Sequence, residues 1–478
     1  MKKITLFLIT LMATTMVSAR QTAIFKGVKA TGNWGSNLSL DASKFANLSA
    51  GDVLTVKWTN DTEGAEAAGE DWIQISICDG TWTTYLVNSG DAKYIKSHTF
   101  TLTSEQATAI KTNGLAVGGH FVNITDVVIG DAYATSDVKH WDGEAWSTTD
   151  FVMPSGWAST QLYNDNLKDA RIGDCITVSF THEDGIGEWG AQLQIVNADG
   201  WTNLIAAPAG TRNSLSLIVD ESNYAVITAG DVRLNGCNLT ITGVQLETTD
   251  LYYTLSHTGT DVDLSKLPTV APINIDLTRK IDWNTTICVP FDVADPYTAF
   301  GYEGAFYSLK EYNSGLVFTP ANTLEAGKPY YATFNMNGVA EEDKTMTFSF
   351  DNVNINTTLT PSAEVSGVTM KGNYTPDMDM AGKYGVACKD NGESADPRWV
   401  WGFYKGGTNA KLNAYSAYVE GTLTAARLGI IIDEETTSLR EVNNEELRDN
   451  SYYDLQGRKV TQPTKGLYIA NGKKYVVK

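Results

Sequence analysis

Tryptophan and glutamine side chains lie close together in and around two stretches of predicted strand, where they offer the chemistry needed to hold a ring-shaped neutral ligand. Nine of the twelve tryptophans fall within residues 20–247. Trp72 shares one strand face with Gln74 and Ser76, opposite Ile73 and Ile75. An indole can stack on the apolar C–H face of a pyranose, while an amide donates and accepts hydrogen bonds with hydroxyls. The candidate ligand-binding residues are Trp34, Trp72, Gln74, Trp82, Trp157, Trp189, Gln192 and Trp201.

Strand alternation constrains the other tryptophans unequally. Trp58 shares a face with two aliphatic residues of its strand, which predicts that it belongs to the core. Trp189 stands three residues before Gln192, so simple alternation turns it inward unless Gly190 hosts a bulge. Four other candidates precede strands or follow turns, where alternation does not apply, so their side chains can be either exposed or buried: Trp34, Trp82, Trp157 and Trp201.

Residues suited to catalysis form no recognisable motif. The five histidines are scattered without metal-ligand spacing, and the sequence contains no HExxH, GxSxG or phosphate-loop pattern. A formal GxGxxG at 185–190 sits in a turn before a predicted strand, not between a strand and a helix. Acidic pairs such as Asp377 and Asp379 are better explained as solvated turn residues than as glycosidase carboxylates. We therefore predict no enzymatic activity and no cofactor, and leave a structural calcium ion open.

An internal repeat positions the candidate residues. Residues 30–130 and 153–247 share the same succession of features: Gly-Asn-Trp against Ser-Gly-Trp, then Gly-Asp before a strand in both copies. The strand 53–58 matches 175–180, 73–77 matches 191–195, and 123–127 matches 240–244, with the same alternation in each pair. The pattern predicts two jelly-roll-like β-sandwiches, at 20–133 and 134–250.

The rest of the chain divides by composition. Residues 1–19 carry two lysines, an apolar run and small residues at the end, which is typical of a signal peptide and predicts export. Residues 251–275 are interpreted as a linker, 276–433 as a third β-rich domain, 434–448 as an acidic linker and 449–478 as a small β tail. The predicted fold class is all-β.

The net charge limits the classes of partner, and the cysteine spacing indicates how the domain cores are stabilised. Thirty-six basic residues against 56 acidic ones give a net charge of −20, which disfavours nucleic acids and polyanionic glycans. The five cysteines are far apart, so the cores are expected to be hydrophobic and not disulfide-based. We expect a monomer.

Several motifs carry a resemblance to known modules. The duplicated block, with Gly-Asn-Trp, Gly-Asp-x-x-Thr-Val, Trp-x-Gln-Ile and Thr-Ile-Thr-x-Val, resembles carbohydrate-binding-like β-sandwich modules of Bacteroidetes. The third domain, with Val289-Pro290-Phe291-Asp292 and Ala326-Gly327-Lys328-Pro329-Tyr330, resembles a β-rich accessory module of surface proteins from the same bacteria. The tail at 449–478 is similar to a C-terminal sorting region of the type IX secretion system.

The resemblance implies a secreted or outer-membrane surface protein that uses the secretion machinery and binds polysaccharide or oligosaccharide without catalysis. Two other interpretations remain. In the first, the modules are structural or adhesive units that contact a protein partner. In the second, which we rank last, residues 276–433 are a glycoside hydrolase.

Overall fold

A computed structural model describes residues 19–183, 190–210, 212–259, 261–390 and 398–433, together with short strands between 440 and 477. Strands account for 51% of the chain and helices for 11%, which confirms the all-β prediction. Residues 1–18, which hold most of the predicted signal peptide, lie outside the described residues. Within the described part, no helix has the length and apolar character needed to cross a membrane.

The first repeat is an eight-stranded jelly roll. One sheet has the order β1-β8-β3-β6 and the other the order β2-β7-β4-β5, the strand arrangement of two interlocked Greek keys. Trp58 is 1% exposed in the core between the sheets, which confirms its assignment. The strands are β1 Arg20–Ala30, β2 Asn33–Leu40, β3 Val53–Asn60, β4 Gln74–Asp79, β5 Tyr85–Asp91, β6 Ser97–Thr101, β7 Leu115–His120 and β8 Val122–Gly130; the helices are α1 Thr62–Ala68, α2 Ser104–Asn113 and a 3-10 turn at Ala42–Phe45.

The second repeat has the same topology. Strands β14, β19 and β17 replace β3, β8 and β6, and the order β13-β18-β15-β16 replaces β2-β7-β4-β5. The counterpart of β1 is split into β9 and β12, which both pair with β19, and the hairpin β10-β11 lies between them. The strands are β9 Ala134–Asp137, β10 His140–Trp141, β11 Trp146–Ser147, β12 Phe151–Met153, β13 Ala158–Gln161, β14 Cys175–Thr181, β15 Gln192–Asn197, β16 Asn203–Pro208, β17 Ser214–Ile218, β18 Val232–Cys237 and β19 Leu239–Thr248; the helices are α3 Asn164–Leu167 and α4 Tyr224–Ala229.

The third domain is built from two five-stranded sheets, a two-stranded sheet of β28 and β31, and three strands that extend a sheet of the first repeat. The five-stranded sheets have the orders β22-β25-β23-β24-β34 and β27-β32-β29-β30-β33. The strands are β20 Asp250–Ser256, β21 Ile273–Lys280, β22 Asn284–Ile287, β23 Ala305–Tyr312, β24 Leu316–Pro320, β25 Tyr330–Thr333, β26 Thr345–Val353, β27 Val368–Asn373, β28 Met378–Asp379, β29 Tyr384–Asp390, β30 Trp399–Lys405, β31 Lys411–Leu412, β32 Ser416–Gly421, β33 Arg427–Leu428 and β34 Ile430–Ile432; the helices are α5 Pro296–Phe300 and 3-10 turns at Leu264–Lys266 and Glu341–Lys344.

The segment 251–275 differs from the linker interpretation. Strand β20 lies between β1 and β21 and is parallel to both, so that β26-β21-β20-β1-β8-β3-β6 form one seven-stranded sheet. Leu251, Tyr253 and Leu255 alternate along β20 and are buried in the core of the third domain. The first part of the predicted linker is therefore a strand. Pro268 and Pro272, which had indicated a connector, both lie after this strand and do not interrupt it.

Salt bridges join the two repeats. Lys26 Nζ lies 3.0 Å from Asp126 of its own repeat and 2.8 Å from Glu221 of the second repeat. Lys57 pairs with Asp220 at 2.8 Å, and Arg212 pairs with Asp91 at 3.2 Å. The repeats therefore pack directly against each other.

The C-terminal tail forms a small sheet together with β35, a strand that lies within the segment 434–448 predicted to be a linker. Its strands are arranged in the order β35-β39-β38-β36-β37. They are β35 Arg440–Glu441, β36 Tyr452–Tyr453, β37 Lys459–Val460, β38 Gly466–Ala470 and β39 Lys473–Val477.

Candidate functional site

Four of the eight predicted site residues lie on or beside the outer surface of the sheet β2-β7-β4-β5 in the first repeat, and we call this surface face 1. Alternation directs Ile75, Ile77, Leu115 and Val117 into the core, where they are fully buried. Face 1 consists of the outward residues of the three paired strands β2, β7 and β4, namely Asn37, Ser39, Gln74, Ser76, Cys78, Ala116, Gly118 and His120.

Trp82 lies against the centre of face 1. A Cβ atom at Gly118 would lie 2.9 Å from Cη2 of Trp82, so the indole rests directly on the glycine backbone. Trp82 has φ of +59°, a left-handed conformation that costs a residue with a side chain about 1 kcal/mol or more. The turn between β4 and β5 must therefore be held by other contacts.

Asp79 supplies those contacts. Its buried carboxylate accepts hydrogen bonds from the backbone N–H groups of Thr83 and Thr84, both at 2.7 Å, from the hydroxyl of Thr81 at 2.6 Å and from Nδ2 of Asn113 at 2.7 Å. Burial by itself would raise the pKa of Asp79, but these hydrogen bonds outweigh it and hold the pKa well below the ordinary value of 3.8. The ionised carboxylate thus fixes the turn that presents Trp82.

Replacement of Asp79 by alanine is expected to destabilise the first repeat by about 1–3 kcal/mol at pH 7, because the part-buried N–H donors of the turn would lose their acceptor. A lowered pKa stabilises the fold above the ordinary pKa, so the difference from the unsubstituted protein should shrink as the pH falls below about 4. Urea unfolding at several pH values measures both effects. Asp41→Ala, which removes an exposed cap at the 3-10 turn, is the control and should have a smaller effect. Equal changes for the two variants would contradict the role of Asp79.

Trp72 covers the other end of face 1 and stacks on His120. The two ring centroids are 3.4 Å apart and the rings are 4° from parallel. Nδ1 of the fully buried His120 lies 3.0 Å from the carbonyl oxygen of Trp72, and its Nε2 lies 2.6 Å from Oε2 of Glu70. Because oxygen atoms face both nitrogens, the imidazole plane is fixed and the indole above it is held flat. Trp72 is nevertheless 43% exposed.

The other predicted residues of the first repeat lie at the border of face 1. Gln74 is half-buried and pairs across the sheet with His120. Trp34 is 39% exposed and follows Asn33, which also pairs with His120. The structure therefore gathers Trp34, Trp72, Gln74 and Trp82 around one sheet surface.

The corresponding surface of the second repeat is different, and we call it face 2. It consists of the outward residues of β13, β18 and β15, namely Ser159, Gln161, Gln192, Gln194, Val196, Arg233, Asn235 and Cys237. Asn235 occupies the position of Gly118 and donates from Nδ2 to Oε1 of Gln194 at 3.1 Å. The space that Trp82 fills on face 1 is thus closed by an amide pair.

Trp157 and Trp201 of the second repeat are more exposed than Trp34 and Trp72 of the first. Trp201 has φ of +55° and is 52% exposed, and its ring centroid lies 5.6 Å from Cζ of Arg233. Trp157 is 50% exposed directly before β13, and Gln192 is half-buried at the start of β15. Trp189 lies outside the described residues.

Three aromatic residues near face 2 were missed by the sequence analysis. Trp141 and Trp146 face each other across the hairpin β10-β11 with centroids 5.3 Å apart, and Trp146 lies 5.0 Å from Tyr163. The Asp142-Gly143 pair between the two tryptophans is a typical hairpin turn, so the sequence did contain a signal for this cluster. His120 and Arg233 were also missed, because their role depends on residues distant in sequence.

Within the part of the chain that the structure describes, no three His, Cys, Asp or Glu side chains gather as they would around a metal ion. The fold and the site together define a multidomain all-β protein with tandem jelly rolls and an aromatic sheet surface. No family model and no curated protein matches this chain.

Parts of the chain are similar to parts of solved structures. One is the Bacteroides ovatus mixed-linkage glucan utilization locus protein SGBP-B in complex with a mixed-linkage heptasaccharide, with a TM-score of 0.19 and 18% identity over 23% of this chain and 28% of that chain. Another is BuGH86 in complex with neoagarooctaose, with a TM-score of 0.16 and 10% identity over 44% of this chain and 30% of that chain. The chain therefore spans less than a third of the length of each of these structures.

Proposed function

We propose that this protein binds neutral polysaccharide without catalysis and that face 1 is its main binding surface. The proposal is supported by the arrangement of Trp72 and Trp82 on one sheet surface. One side of the Trp72 ring stacks on His120, and the Trp82 ring lies against Gly118. Rings already held in place lose little conformational freedom when a ligand stacks on them.

The spacing on face 1 suits an extended ligand. Gly118 and His120 are two residues apart on β7, so the contact points beneath the two indoles are roughly 7 Å apart. One oligosaccharide can therefore touch both rings. Gln74 and Asn37 lie on the same face and supply amides for hydroxyl groups.

Affinity electrophoresis of the full chain tests the proposal. We expect retardation by neutral β-glucan and a weaker shift for Trp72→Ala. Trp399→Ala, which removes a 75% exposed tryptophan of the third domain, should migrate like the unsubstituted chain. Normal migration in a broad panel of neutral polysaccharides would reject the proposal, and release of reducing sugar from a retained glycan would reject its non-catalytic part.

A methyl group at Gly118 is expected to weaken glycan binding by roughly threefold to tenfold, because it would force the Trp82 ring away from the sheet and remove part of the stacking surface. Fluorescence titration with a soluble β-glucan measures the change. Gly243→Ala is the control, because its Cβ would meet no atom within 4 Å. If Gly118→Ala binds as tightly as Gly243→Ala, Trp82 does not contact the ligand.

We also propose export, on the basis of the N-terminal segment and the resemblance of the tail to a sorting region. Mass spectrometry of the protein purified from the outside of the producing cell tests both parts. A chain found only inside the cell, with residues 1–19 intact, would reject export.

A further inference from the structure

Arg233 is the main chemical difference between the two faces. Val196 pairs with Arg233 on face 2 as Cys78 pairs with Ala116 on face 1, so Arg233 occupies the position of Ala116. The second repeat therefore carries the guanidinium of Arg233 at the position where the first repeat carries the methyl group of Ala116.

The guanidinium of Arg233 has no acidic partner among the residues that the structure describes, and its buried Nε has no hydrogen-bond partner there. Its contact is with the ring of Trp201, 5.6 Å away, a typical cation–π distance. The chain has 56 acidic residues and 36 basic ones, so an arginine without an ion pair among the described residues is unusual, and its guanidinium is available to pair with an external anion.

The surroundings of Arg233 suit a sugar ring. Gln161 lies directly opposite it on β13 and offers an amide. Leu162 is buried and bridged to His140, so the alternation brings Tyr163 to the same side as Gln161. Trp201 contacts the guanidinium, and the ring of Tyr163, two residues after Gln161, lies 5.0 Å from that of Trp146.

We propose that face 2 binds a saccharide that carries a carboxylate, with Arg233 pairing with the acid group and Trp201 stacking on the ring. This inference rests on the proposed glycan-binding function and names the ligand class of the second copy. One arginine matches one carboxylate, and the net charge of −20 repels a dense polyanion. The fitting ligand is a largely neutral chain with occasional uronic acids, whose neutral part face 1 would hold.

Calorimetry on the full chain tests this with a glucuronic acid-bearing xylo-oligosaccharide and its carboxyl-reduced form. We expect about a tenfold preference for the acid form at low salt and a smaller one at 0.5 M NaCl, since exposed charges are screened. Arg233→Gln should abolish the preference, so that the acid form and the reduced form bind with equal affinity. Arg171→Gln, which removes a surface arginine paired with Asp250, is the control.

The outcomes separate this inference from the proposed function. Equal binding of the acid and reduced forms, or a preference that survives Arg233→Gln, would overturn the inference and leave glycan binding intact. Tighter binding of a sulfated oligosaccharide of the same length would overturn the carboxylate assignment. Absence of binding to every oligosaccharide would overturn the proposed function itself. If Arg233→Gln does not fold, Arg233→Lys keeps the charge without the planar fork and should reduce the preference; an unchanged preference would again overturn the inference.

Discussion

Replacement of Lys26 by methionine is expected to destabilise the protein by about 3–5 kcal/mol, because it would leave a buried carboxylate without its partner. The side chains of Lys26 and Asp126 are only 9% and 8% exposed, and Glu221 of the second repeat completes the cluster. Methionine keeps the length of the side chain, so the loss of charge and not of volume is tested. Since Lys26 joins the repeats, the variant should also loosen their contact.

The pH dependence of the Lys26 effect follows from its pKa. Burial by itself would lower the pKa of Lys26, but attraction to Asp126 and Glu221 outweighs burial and raises it. A raised pKa in the folded state stabilises the fold below the ordinary value of 10.5, and this stabilisation is lost as the pH rises through the folded-state pKa. The full effect of the substitution is therefore expected at pH 7.

Guanidinium unfolding of the full chain measures the stability loss. Lys44→Met is the matched control, since the Lys44–Asp261 pair is more exposed, at 25% and 32%, and should contribute within about 1 kcal/mol. A Lys26→Met variant no less stable than the control would show that the buried cluster does not hold the repeats together.

The double substitution Trp72→Ala with Trp82→Ala is expected to lower the affinity for neutral polysaccharide by roughly a hundredfold. Each ring would lose about 60 Å² of apolar contact, worth about 1.5 kcal/mol or tenfold in affinity, and two rings on separate parts of face 1 should add. Both side chains are partly exposed, so the core of the first repeat should persist.

Titration calorimetry with a soluble β-glucan, alongside thermal unfolding, distinguishes binding from stability. The single variants should each lose about tenfold, and the double variant should unfold within a few degrees of the unsubstituted chain. Trp141→Ala with Trp146→Ala removes two equally exposed rings outside face 1 and is the control for neutral ligand. A double variant that still binds like this control would place the neutral ligand elsewhere.

Period-two alternation was enough to predict part of this architecture. It assigned Trp58 to the core and matched the strand at 53–58 with that at 175–180, and the structure bears out both. These properties depend on residues adjacent in sequence. The linker predicted at 251–275 was wrong for residues 251–256, which form most of β20. Pro268 and Pro272 indicated a connector and outweighed the alternation of Leu251, Tyr253 and Leu255.

The sequence by itself determined the all-β class, the duplication and the set of aromatic residues from which a surface can be made, because alternation and turn residues act over a few neighbouring positions. Only the tertiary structure decided which rings lie flat and what supports them. His120 lies 48 residues from Trp72, and Gly118 lies 36 residues from Trp82, so their contacts depend on the strand order of the jelly roll. The same strand order brings Arg233 beneath Trp201, because the side chains on one sheet surface come from strands that are distant in the chain.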